Sequence, residues 1–228
     1  MLNANDGADG KTTGKTYVWD VPTRVFHWAL AIAVGVSLLT EELGEMDYHV
    51  ISGHVVLGLV VFRIVWGFGG GKHARFADFV RGPGAVIAYA RGLLSGTATE
   101  PKGHNPMGAL SVLALLAVLA AQVGTGLFAN DDIFTEGPLA KLVDKSTSDM
   151  LTYYHGLLSN ALYALIGLHL AAIAFYTLKG HRLIAAMVHG HKVSEIDAEE
   201  EAGVRGHPII ALVAIAIAVA AAYYIFEF

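Results

Sequence analysis

Four histidines stand inside or at the edge of strongly apolar stretches: His27, His54, His155 and His169. An imidazole at hydrocarbon depth is costly unless something engages its nitrogen lone pair, so such groups are functional candidates by default. Fourteen residues of helix advance about 21 Å and rotate about 1,400°, about 40° short of four full turns. His155 and His169, separated by that interval, therefore project from nearly one face of a helix at two depths. His27 and His54 come from two other segments and lie near opposite ends of them. Depth pairs His54 with His155 and His27 with His169. Two imidazoles facing each other at each of two levels suit two non-covalently held haems b, each iron gripped from both faces of a flat macrocycle. A compact zinc or di-iron centre needs three or more ligands at one level, usually with carboxylates or cysteines. No Asp or Glu lies in the cores of the apolar stretches.

The elements that must position these rings are membrane helices. The chain of 228 residues is 54% hydrophobic and only 15% charged, with a mean hydropathy of +0.52. That is too apolar for an ordinary soluble domain. Five segments can span: Phe26–Leu43, His49–Phe68, Met107–Phe128, Leu151–Leu178 and Pro208–Phe226. At about 1.5 Å per residue each crosses a hydrocarbon core of about 30 Å. The absence of cysteine excludes disulfides, iron–sulfur clusters and covalent c-type haem attachment. No nucleic-acid partner is expected, and the polar first 16 residues lack the apolar core of a cleaved signal peptide.

Charge on the connections sets orientation. Lys72, Arg75, Arg81, Arg91 and Lys102 lie between spans two and three, and Lys179, Arg182 and Lys192 follow span four. Glu41, Glu42, Glu45 and Asp47 lie between spans one and two, with no lysine or arginine. Positive charge stays on the cytoplasmic side. The N-terminus is therefore expected in the cytoplasm and, after five crossings, the C-terminus in the periplasm. In the basic loop, Phe76–Phe79 and Val86–Tyr89, broken by Gly82 and Pro83, predict an interfacial amphipathic segment. The acidic outer loop Ala129–Met150 is too long for a simple turn, and its Phe128, Phe134 and Pro138 predict a packed cap or a docking surface.

Around the histidines, Gly58 and Gly156 fall where a macrocycle needs room, and Gly53 and Gly167 thin the helices further. Arg24, one turn before His27, suits a haem propionate or a positive-inside anchor. Arg63 points away from His54 and either serves the inner haem or snorkels. His49, five residues before His54, sits among the outer acidic residues and is the weaker ligand. Trp28, Trp66, Tyr153 and Tyr154 read as interface-belt residues. His73, His104, His181, His189, His191 and His207 are expected to be solvated. Gly103–Gly108, opening span three, offers helix-start amides and His104 to a quinone head group.

These residues resemble the bacterial cytochrome b561 family, which includes the b-type cytochrome subunits of nickel–iron hydrogenases. The likeness is carried by Val18–Trp28, Gly53-His54 with Leu57-Gly58, Phe62–Gly67, Gly103–Pro106, Tyr154-His155 and Gly167–His169, over about residues 17–192. The resemblance implies a four-helix core holding two haems b on the histidines matching His27, His54, His155 and His169. It also implies electron transfer between membrane quinone and a redox partner. Members with the Trp-Asp-x-Pro-Thr-Arg and Gly-His-Asn-Pro elements look more like partners of c-type cytochromes than hydrogenase subunits.

The expected protein is all-α and integral to the bacterial inner membrane, a four-helix bundle holding two haems plus a fifth C-terminal helix. Its parts are a flexible polar stretch 1–16, the dihaem domain 17–192, a cytoplasmic linker 193–206 and the helix 207–228. It would carry electrons between the quinone pool and a periplasmic redox protein, a c-type cytochrome in the first instance. The fifth helix is free to meet a partner or a second copy. Three rivals stand beside this. A superoxide:quinone oxidoreductase is disfavoured by the acidic outer loops. A haem-free transporter is disfavoured by the missing intramembrane carboxylates and repeats. The third is a haem-bearing anchor of a dehydrogenase or hydrogenase complex.

Overall fold

The structure is a computed structural model that describes residues 13–98, 103–195 and 204–227. Its elements are β1 (Thr13–Tyr17), α1 (Val21–Glu42), α2 (Met46–Gly69), α3 (Phe76–Phe79), α4 (Pro83–Ser95), α5 (Pro106–Gly126), a 3-10 turn (Ala140–Leu142), α6 (Lys145–Leu178), α7 (Leu183–His189), β2 (His191–Glu195) and α8 (Pro208–Phe226). Five of the helices, α1, α2, α5, α6 and α8, are long and apolar enough to cross a membrane.

The boundaries follow from local chemistry. Asp20 opens α1 by accepting the Thr23 N–H at 2.7 Å, with Pro22 in the first turn. Gly44, at φ +73°, ends that helix in the left-handed conformation glycine adopts without steric cost. Asn105 and Asp144 cap α5 and α6 in the same way, accepting from Gly108 N–H at 2.7 Å and Thr147 N–H at 2.9 Å. The Asp144 cap starts α6 at Lys145, six residues ahead of the expected Leu151.

Helix α2 is the hub. It packs on α1 and α8 along its length and touches α5, while α6 leans on α5. One buried cluster joins Phe26, Phe62, Trp66, Ala74, Ala214 and Ala218; a second joins Ala33, Val34, Val56, Val60, Leu119 and Leu162. Small residues set the α2–α8 crossing, as close packing in a membrane requires. A Cβ on Gly58 would lie 3.5 Å from both Ala218 O and Ala222 Cβ. The room at Gly58 is therefore taken by α8, and not by a cofactor as its spacing from His54 had suggested.

The strand Thr13–Tyr17 pairs antiparallel with His191–Glu195, Lys15 opposite Val193. Backbone pairing thus orders residues 13–16, which polar composition alone marks as flexible, and the two strands straddle the expected boundaries at 16/17 and 192/193. The remainder of the stretch 1–16 and most of the linker 193–206 lie outside the described residues. The basic loop does fold into short helices, α3 and α4, and the outer loop is organised by a bridge between Asn130 and Glu136 and by the 3-10 turn.

Candidate functional site

At the inner level, toward the end of the bundle that holds β1 and β2, the rings of His27 on α1 and His169 on α6 face each other with centroids 6.5 Å apart and planes at 50°. Two metal–imidazole bonds of about 2 Å each, plus half a ring at either end, come to about 6 Å. His27 Nδ1 is buried without a partner among the described residues. Helices α1 and α6 are not packed backbone to backbone, so the two rings reach toward each other across a gap.

At the outer level the ring opposite His155 is that of His49, at 6.1 Å and 87°. The expected partner, His54, looks along another side of α2: its Nδ1 is 2.7 Å from Val50 O and its ring edge meets Phe226 of α8 at 5.3 Å, while its Nε2 is buried without a partner among the described residues and the residue still lines the cavity beside His49 and His155. The reason is azimuth. Five residues rotate about 500°, so His49 and His54 point about 140° apart on α2. Depth alone does not separate them. Gly58, one turn beyond His54, was the available signal, because glycine on a membrane helix marks the face that another helix approaches.

Two backbone carbonyls orient the outer rings. His49 Nδ1 is 2.9 Å from Ser37 O, and His155 Nδ1 is 2.9 Å from Gln122 O. With its proton on Nδ1 each ring donates to its carbonyl and keeps a lone pair on Nε2, the arrangement found behind metal-bound imidazoles. His155 Nε2 is meanwhile 3.2 Å from the Gln122 amide nitrogen. Gly126 lies against the His155 ring, where a Cβ would come within 2.8 Å of Cε1. A cavity of about 410 Å³ opens here, lined by His49, His54, His155 and Gln122 with apolar Val34 and Leu119. Sequence spacing missed Ser37, Gln122 and Gly126, which come from α1 and α5 and acquire meaning only where those helices meet the histidines.

Arg24 donates to Val188 O at 2.6 Å, tying α1 to the end of α7, and its Nε is buried without a partner among the described residues. Arg63 is 3% exposed, donates to Ala74 O at 3.0 Å and lies 4.9 Å over the Phe76 ring. Trp66 is not a belt residue: it is fully buried, with its indole N–H 3.2 Å from Thr23 Oγ1. His104 is not solvated at all. It is wedged between Trp19 at 4.6 Å and Phe79 at 4.7 Å, and burial pushes it down to about 3, helped by the charges of Arg63, His73 and Lys192. His207 is exposed, as expected, and its Nδ1 accepts from Ile209 N–H at 3.3 Å. The start of α5 is closed by Asn105, which caps the helix and donates to Tyr176 OH at 3.3 Å.

Among the described residues no three His, Asp or Glu side chains gather into a compact metal centre. Opposed imidazoles at two levels, with an apolar cavity beside one pair, fit a flat iron macrocycle. Comparison with known proteins gives the family. The sequence model of the family described as prokaryotic cytochrome b561 matches residues 18–190. A probable Ni/Fe-hydrogenase B-type cytochrome subunit of Azotobacter vinelandii is 26% identical over 238 residues, covering 86% of this chain and 96% of that protein. The probable Ni/Fe-hydrogenase B-type cytochrome subunit of Rhodobacter capsulatus is 23% identical over 219 residues, covering 79% of this chain and 82% of that one. Helix α8 lies beyond the matched segment. The chain belongs to the prokaryotic cytochrome b561 family and is a multi-pass membrane electron-transfer protein that binds haem b.

Proposed function

We propose that the protein holds two haems b, the inner on His27 and His169 and the outer on His49 and His155, and passes electrons between membrane quinone and a redox protein in the periplasm. The observation that carries this is the pair of opposed imidazoles at two depths, 6.5 and 6.1 Å apart. The haems supply one-electron chemistry. The chain's own residues do the rest. Ser37 O and Gln122 O fix the outer rings, Val34 and Leu119 give the cavity an apolar wall, and Arg24 stands one turn from His27 with an N–H to offer a propionate. His155 and His169, about 21 Å apart along α6, set an electron path along the membrane normal. The functional unit runs from β1 through β2, with α8 added to it. The basic connections put the β1 side in the cytoplasm.

A c-type cytochrome is the first partner to expect, from the sequence elements that open α1 and α5. A hydrogenase is the second reading, favoured by the names of the two relatives. A dithionite-reduced minus oxidised spectrum with haem stoichiometry tests the core claim. Two bis-histidine haems per chain are expected, and a colourless protein or one haem per chain refutes it.

A further inference from the structure

The outer end of the molecule carries an apolar point within an acidic field. Phe134 is 94% exposed and Ile133 73%, both at the tip of the loop between α5 and α6 and clear of the spans. Monomeric proteins rarely present adjacent large apolar side chains on a fixed support without a use for them. The support is fixed: Asp131 Oδ1 accepts the amide N–H groups of Ile133, Phe134 and Thr135 at 2.9, 2.9 and 2.8 Å, and Asp131 N–H donates to Thr135 O at 3.0 Å. A tip held this way loses little freedom on binding. Below it, Asn130, Asp131 and Pro138 line the same cavity as His49 and His155, so the tip stands over the outer histidine pair.

The charge around the tip identifies what can approach. The end of α1, the turn after it and the start of α2 contribute Glu41, Glu42, Glu45 and Asp47, and the α5–α6 loop with the first turns of α6 adds Asp131, Asp132, Glu136, Asp144 and Asp149. Against these nine carboxylates stand only Lys141 and Lys145, a net of -7 on a chain whose total is -5. Lys145 is already paired with Asp132 and Asp149. The face would repel a second copy of itself and an anionic lipid surface, and attract a protein of opposite charge.

We propose that the Ile133–Phe134 tip and its acidic surround are the docking face for a redox protein whose own apolar patch is ringed by lysine and arginine. This rests on the reading that the electron partner meets the outer end of the bundle. Apolar contact at the tip holds the complex, and the carboxylates steer and orient it.

The test uses full-length, haem-loaded protein in nanodiscs. Mitochondrial-type cytochrome c, a small lysine-rich protein, serves as the probe, and binding is followed by surface plasmon resonance. Association is expected to slow by about tenfold or more from low to high salt. Glu45→Lys, Asp47→Lys and Glu136→Lys together should slow it similarly at low salt, while Phe134→Ser should speed dissociation several-fold. Each variant should keep the wild-type reduced-minus-oxidised spectrum; loss of haem would count against the haem assignment instead. Binding that ignores salt and the charge changes, equal binding of an acidic protein of the same size, or a Phe134→Ser effect confined to self-association or lipid partition overturns the proposal.

Discussion

Replacing His49 with alanine removes the ring that faces His155 across 6.1 Å and leaves the inner pair, about four helical turns away, untouched. An axial imidazole cannot be replaced by the methyl group, and the next ring on α2 points about 140° away. One of the two haems should therefore be lost, halving the reduced-minus-oxidised amplitude and taking haem per chain from two to one. A potentiometric titration should show one of two components missing. His54→Ala should retain both haems. That substitution gives up the contact with Phe226 at 5.3 Å and the bond to Val50 O, a packing loss of about 1 kcal/mol read as a lower melting temperature. The reasoning fails if His54→Ala costs a haem while His49→Ala keeps both, because the ligand would then lie on the face now covered by α8.

Three further outcomes follow from the packing and the charges. Gly58→Leu should destabilise the detergent-solubilised protein by about 1–3 kcal/mol by overpacking, because even a Cβ there touches Ala218 and Ala222; haem content should not change, and an unaltered melting temperature would show that α8 is not seated on α2. Trp66→Ala should cost about 3–5 kcal/mol, far more than Trp66→Phe, because the indole is fully buried; equal melting temperatures for the two would contradict this. Asp131 is the pH-sensitive element. The amide of Ile133, with those of Thr135 and Phe134, holds its carboxyl down at about 2, below its ordinary 3.8. A depressed acid contributes its stability fully above the ordinary value and loses it as pH falls through the depressed one. Hydrogen-exchange protection of residues 133–135, corrected for intrinsic rates, should hold above pH 4 and fall toward pH 2, whereas Asp131→Ala should lack it throughout. Wild-type protection that stays flat to pH 2 would count against the role of Asp131.

Much of the architecture is legible in the residues. Five spans, their order and a helix between the second and third follow from runs of apolar residues and from Gly82-Pro83, because hydropathy and turn chemistry act locally. The caps at Asp20, Asn105 and Asp144 are local as well, and the last explains why α6 begins at Lys145, ahead of its apolar run. The burial of His104 and Trp66 is not local. Both carry polar nitrogen and sit near span ends, so composition assigns them to the interface; what withdraws them is the convergence of β1, α3, α5 and the segment before α8 at one end of the bundle.

The histidine site divides along the same line. Depth is written in the chain, since helical rise is constant, and it is enough to set His27 level with His169 and to bring a histidine of the first turns of α2 level with His155. Direction is not written there. Which side of α2 looks toward α6 depends on where α8 and α1 settle, and that is decided by the fit of Gly58 against Ala218 and Ala222. The amino-acid order alone therefore fixes the kind of protein and the depths at which its histidines lie. Only the packed bundle turns His49 inward and His54 toward Phe226, because rotation about a helix axis is settled by neighbours and not by the helix itself.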